Sequence, residues 1–243
     1  MRLRTTRRLD CTVDLVAAFK NARALLTGAR AVLDEQEWPA AFSMAALALE
    51  EVGKATLCMT MLGMPPTERE KFRPAFNKAF TDHQAKATFA HLVLAMVADE
   101  VSATLEKMMD DVIESARRTN TVKFRGLYVD CTDTGALLKP DDVAEADARW
   151  MVNTVTTTLA ESGPAEAAVA EPDVYLDFVH QWQSGVDFDA LGAYIDTAPD
   201  KFLAEVRAFT HDDVPPSAVF LGTALTEQVA AADARRQRSG GDR

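Results

Sequence analysis

The stretch LALEEVGKATL, Leu47–Leu57, sets two acids and a base inside an apolar window. From Ala40 to Gly63 the only charged residues are Glu50, Glu51 and Lys54. On a helix Glu50 and Lys54 are four apart and Glu51 and Lys54 three apart, so all three share one neighbourhood. At a surface such a pair contributes about 0.2–1 kcal/mol. This window offers no polar face, and unpaired charges buried in it would cost several kcal/mol each, so partners must come from elsewhere in the chain.

Two other stretches carry suitable groups. TDHQAK, Thr81–Lys86, places His83 and Lys86 three apart on one helical face. KFRGLYVD, Lys123–Asp130, gathers Lys123, Arg125, Tyr128 and Asp130. The set then holds carboxylates, amines, an imidazole, a guanidinium and a phenol. That inventory suits general acid–base chemistry on a phosphodiester, with cations to stabilise developing negative charge. A structural ion-pair network that fixes helix packing would use the same residues, and spacing alone leaves both readings open.

Other chemistries find less support. His83 and His91 are two helical turns apart and cannot chelate as an i,i+4 pair. HxxxH, HExxH, CxxC and ExxH are all absent from the sequence. So are GxGxxG and GxxxxGK[ST], which speaks against a nucleotide-fuelled enzyme, and GxSxG. Cys11, Cys58 and Cys131 are odd in number and widely spaced, which argues against a disulfide framework and for a reducing cytoplasm.

The net charge is −11, but it is unevenly spread. Residues 1–130 hold 18 Lys and Arg against 17 Asp and Glu, and residues 131–243 hold 8 against 20. Basic runs occur at Arg2–Arg8, Arg117–Arg125 and Arg235–Arg243. Local patches rather than the total decide whether phosphate can dock, although such runs are commonly solvated ends and loops. No signal sequence is evident after the basic start, and no uncharged stretch is long enough for a membrane span.

Helices must position these groups. Leu15, Phe19, Ala22, Leu26, Ala29 and Leu33 alternate spacings of four and three, which predicts a bundle helix over Thr12–Gln36. Trp38-Pro39 starts a second helix that reaches about Met64, where Pro65-Pro66 stops it. A short charged helix is expected over Glu68–Ala79. Thr81 or Asp82 then caps a long helix to about Arg117, with Val97, Val101, Leu105, Met108 and Val112 as its stripe. Arg118–Pro140 reads as an ordered loop with a small hairpin. Asp141–Ser162 returns to helix, with acids in its first turn. Gly163–Pro172 reads as a linker, followed by amphipathic pieces around Tyr175–Trp182, Phe188–Ile195 and Lys201–His211. The tail from Ala231 reads as disordered. The expected fold is all-α: a bundle of four to five helices over residues 1–162, an acidic helical extension over 163–230 and a tail over 231–243.

In this order, NARALL, AALALEEVGKATL, DHQAK and KFRGLYVD with a following Pro resemble the AbiV family of abortive-infection proteins, within the HEPN superfamily. The resemblance spans about Val13–Val152. It implies a HEPN bundle, a homodimer with a site at the dimer cleft, and a cytoplasmic role in defence against phage, where triggering halts translation. Many HEPN proteins are metal-independent ribonucleases that use the RNA 2′-OH as nucleophile. No cofactor, metal, membrane or DNA is implied. RNA (tRNA, rRNA or mRNA) and a phage-encoded activator protein are the implied partners.

The family's positions fall on Glu50, Glu51, Lys54, His83, Lys86, Lys123, Arg125, Tyr128 and Asp130. On this reading His83 is the acid–base group. Arg125, Lys123 and Lys86 hold phosphate, and Tyr128 donates a proton or orients substrate. Glu51 with Lys54 braces the site or acts as base, Lys54 also meets substrate, and Glu50 and Asp130 give support. One feature departs from the superfamily: HEPN ribonucleases commonly carry Arg, four to six residues, then His, and this chain has no such pair. That departure favours the alternative, a non-enzymatic protein that blocks translation or senses a phage product by contact.

Overall fold

In a computed structural model of the chain, residues 11–97, 104–131, 135, 137–163, 166 and 186–212 are described. Helix α1 (Cys11–Asp34) and helix α2 (Trp38–Gly63) form the first antiparallel pair. Their connection is only Glu35–Glu37, and Gln36 turns it with φ of 65°. The amides of Gln36 and Glu37 donate back to the carbonyls of Leu33 and Val32, both at 3.0 Å, which satisfies the end of α1. Pro39 sits in the first turn of α2, as its missing N–H requires.

The remaining bundle helices assemble around α2. It is touched by α1, by α3 (Pro66–Thr81), by α4 (His83–Val97), by α5 (Leu105–Leu127) and by α6 (Glu145–Glu161). A helix surrounded in this way must be apolar on nearly every side, which is what the window Ala40–Gly63 supplies. Phe42, Leu49, Val52 and Leu57 are fully buried, beside Leu15 and Phe19 of α1 and Met151 and Leu159 of α6. Small residues such as Ala41, Ala45 and Ala48 let the neighbouring helices approach.

Two expectations are corrected. The long helix from Asp82 to Arg117 is two helices, α4 and α5. His91 and Thr119 would lie about 42 Å apart on one straight helix. Their side chains instead meet at 2.9 Å, so α5 folds back beside α4. Asp82 caps α4 through the Ala85 amide (2.9 Å), and Thr104 caps α5 through the Lys107 amide (3.2 Å). The second correction concerns Arg118–Leu127, which is the end of α5 rather than loop. Its Thr and Asn content suggests a turn, but the buried stripe Met108, Val112, Ala116, Thr119, Lys123 continues at helical spacing. Thr119 and Lys123 occupy that stripe because α4 and α2 bring hydrogen-bonding partners to them.

The hairpin expected after this point is present in minimal form. Strands β1 (Asp130–Cys131) and β2 (Leu137–Leu138) pair antiparallel, with Asp130 opposite Leu138. A 3₁₀ turn at Pro140–Asp142 leads into α6. Further on, α7 (Phe188–Thr197) and α8 (Pro199–Asp212) match the later amphipathic pieces. Asp200 of α8 accepts the Leu105 amide at 2.8 Å, which ties α8 to the start of α5. The all-α reading holds. The terminal basic runs, most of the expected linker, the piece around Tyr175–Trp182 and the tail from Ala231 lie outside the described residues. Among the described residues no helix is long and apolar enough to cross a membrane.

Candidate functional site

Two glycines set the distances between the helices that carry the site. A Cβ on Gly53 of α2 would lie 1.9 Å from the Lys86 carbonyl oxygen of α4. A Cβ on Gly126 of α5 would lie 2.6 Å from Ser43 Oγ and 2.9 Å from the Pro39 carbonyl oxygen of α2. Ser43 Oγ also donates to the Lys123 carbonyl at 3.3 Å. Both α4 and α5 therefore press their backbones against α2 on either side of Glu50.

Glu50 is the acid on which this cluster is built. It is 3 % exposed, and three cationic or basic groups converge on it. Lys123 Nζ donates to Oε1 at 2.5 Å. Lys86 Nζ lies 3.1 Å from Oε2, and His83 Nδ1 lies 2.6 Å from the same oxygen. Lys86 and Lys123 are themselves buried. Burial would push the Glu50 carboxyl up, but hydrogen bonds from Lys123 and His83 and the charges of Lys123 and Lys86 outweigh it and hold the group below its usual range.

An ionised carboxylate only accepts hydrogen bonds. His83 Nδ1 must therefore carry the proton that faces Glu50. In the neutral ring Nε2 is then the lone-pair nitrogen. The His83 side chain is 47 % exposed, so the imidazole is anchored at one nitrogen and reaches solvent with the rest of the ring. The buried part of the cluster holds one carboxylate against two ammonium groups, an excess of one positive charge before His83 is counted.

The other expected site residues are placed differently. Glu51 pairs with Lys54 within α2, with the two side chains 14 % and 26 % exposed, and neither joins the Glu50 cluster. Arg125 is about 200° round α5 from Lys123 by helical geometry, which puts it on the flank that carries Arg118. Among the described residues it has no ion pair, and its Nε is buried without a hydrogen-bond partner. Tyr128 follows the last residue of α5 and is exposed. Asp130 lies in β1, and its side chain lies outside the described residues. Three of the four cations of the central basic run are paired: Arg117 with Glu114, Arg118 with Asp147, and Lys123 with Glu50.

Phe124 is a neighbour of the site that residue spacing does not reveal, and it touches two of the four cluster residues, His83 and Lys123. The His83 ring meets it edge-on at 6.0 Å, Lys123 Nζ lies 4.5 Å from its centroid, and Tyr128 stacks on it at 6.3 Å. The i,i+4 spacing of Phe124 and Tyr128 is a helical signal that reading this stretch as loop concealed. His91 has a separate role. It is buried, hydrogen-bonded to Thr119 and stacked on Trp150, and burial pushes its pKa down to about 4, so it is a neutral core residue at pH 7. Among the described residues no group of three or more His, Cys, Asp or Glu gathers in a way that could hold a metal ion.

A model of the HEPN-type family described as AbiV matches residues 15–160. The chain belongs to the AbiV family of HEPN proteins. The AbiV match runs from the first turns of α1 to the last turn of α6, takes in every residue of the Glu50 cluster, and stops before α7 and α8. No curated protein and no solved structure matches the chain.

Proposed function

We propose that the chain is an abortive-infection toxin that cleaves RNA at the His83 site without a metal ion. The observation that carries this reading is the 2.6 Å contact between Glu50 and His83 Nδ1 on a half-exposed imidazole. A buried carboxylate that orients an imidazole through Nδ1 leaves Nε2 to move protons. In the proposed step Nε2 takes the proton of an RNA 2′-OH, and the 2′-oxygen bonds to the adjacent phosphorus. The bond from phosphorus to the 5′-oxygen breaks, and that oxygen receives a proton from the imidazolium. The products are a 2′,3′-cyclic phosphate and a 5′-hydroxyl end. Lys86 and Lys123 act from behind Glu50, holding it ionised and leaving the excess positive charge that attracts phosphate. The reading includes a homodimer and a phage-encoded activator, as the family resemblance implies.

The test is to express wild type and His83→Ala, with and without phage challenge, and to sequence the ends of all cellular RNA. New 5′-hydroxyl ends in wild type that vanish in His83→Ala are the expected result. A second reading is favoured by one observation: Arg125 lies away from Glu50 and the two cluster lysines are engaged with it, so His83 stands alone at the solvent edge of the cluster. A protein that halts translation by binding alone would leave RNA intact beside arrested translation, and His83→Ala would keep full toxicity.

A further inference from the structure

Phe124 and Tyr128 form an ordered aromatic step on the outside of the bundle. They are 41 % and 58 % exposed, and their rings stack at 6.3 Å with 25° between planes. Phe124 is fixed from three sides, by the His83 edge, the Lys123 ammonium and Tyr128 itself. Tyr128 stacks against Phe124, and more than half of its surface stays exposed. The step adjoins the cluster with its excess positive charge, so an apolar π surface and an anion-attracting centre lie side by side.

We propose that Tyr128, backed by Phe124, is a stacking subsite for one unpaired nucleobase of single-stranded RNA, whose sugar and phosphate then lie at His83. The inference rests on the function proposed above. A base inside a duplex has both faces covered by its neighbours, whereas an unpaired base offers a free face to an aromatic ring. The charge beside the step suits the phosphate attached to that base. The Tyr128 hydroxyl takes no part, so the residue positions substrate by its ring and donates no proton.

The test measures binding by full-length protein in a His83→Ala background, which prevents cleavage. The probes are a labelled oligouridylate, an abasic strand of the same length, and a duplex. The parent binds the oligouridylate more tightly than the duplex. Adding Tyr128→Ala weakens oligouridylate binding about 5- to 100-fold, and Tyr128→Phe restores it. The abasic strand binds weakly and is indifferent to Tyr128→Ala. Equal oligouridylate binding by Tyr128→Ala and the parent overturns the subsite and leaves the His83 reading standing. So does an abasic strand that loses as much as the oligouridylate. Conversion of a dimer to a monomer by Tyr128→Ala in sedimentation overturns it too, by making the step a contact between copies. Failure of the parent to bind any strand overturns both readings.

Discussion

Gly53 of α2 faces the backbone of Lys86 so closely that a Cβ would sit 1.9 Å from the Lys86 carbonyl oxygen. No side-chain adjustment relieves a clash with backbone, so Gly53→Ala must push α4 away from α2 and carry Lys86 and His83 off Glu50. The expected loss is about 2 kcal/mol or more, read as a fall in thermal midpoint. Gly28→Ala is the control. There the Cβ would meet only Met44, with Cε, the far end of a flexible side chain, the nearest atom. Methionine can move, and Ala gains up to about 1 kcal/mol in a helix interior, so this variant should be neutral or more stable.

Removing the Glu50 charge leaves Lys86 and Lys123 buried without their counter-ion. Glu50→Gln should therefore lower stability by about 3–5 kcal/mol, measured by urea denaturation. Adding Lys123→Met should recover part of the loss, because one uncompensated buried charge goes with it. A double variant that is no better than Glu50→Gln would mean that Lys123 already finds another anion.

The pH dependence should have two components of the same sign. The His91 pKa falls from 6.5 to about 4 on folding, so the unfolded chain binds more protons between those values. Stability then declines as pH drops from about 6.5 to about 4, by about 3 kcal/mol in all. His91→Gln, which can still bond Thr119, should flatten that window. The Glu50 pKa is also lowered by folding, so its contribution is present above its ordinary value of 4.5 and disappears as pH falls through the lower folded value. Glu50→Gln should remove this second, more acidic component and leave the first. Denaturation midpoints for the three proteins across the acid range separate the two.

Gln36 holds φ of 65°, in the left-handed region, to close the turn between α1 and α2. A side chain there is strained and glycine is not. Gln36→Gly should raise stability by about 0.5–1 kcal/mol, read as an upward shift of the urea midpoint.

Much of the bundle is written in local pattern. The four-and-three spacing from Leu15 to Leu33 and the apolar window before Pro65 specify α1 and α2, because a helix period and its stop signals are properties of neighbouring residues. The tie between Glu50 and distant cations is also implied locally, since charges in a buried helix require partners. The extent of α5 is not. Thr119 and Lys123 read as exposed polar residues until His91 and Glu50 are brought to them, and those partners lie 28 and 73 residues away.

By itself the sequence determined the fold class, the central helix, the family and the short list of groups able to do chemistry. Each depends on residue type and spacing along the chain. Only the tertiary structure decided which acid is the hub. Glu50 and Glu51 are adjacent and chemically alike, but about 100° of helical rotation turns Glu50 to the cations of α4 and α5 and leaves Glu51 to pair with Lys54. The same rotation turns Lys123 inward and Arg125 to the other flank, and sets Phe124 beside His83. Which face of a helix meets which neighbour follows from the packing of whole helices, and there the absence of a Cβ at Gly53 and Gly126 fixed the geometry.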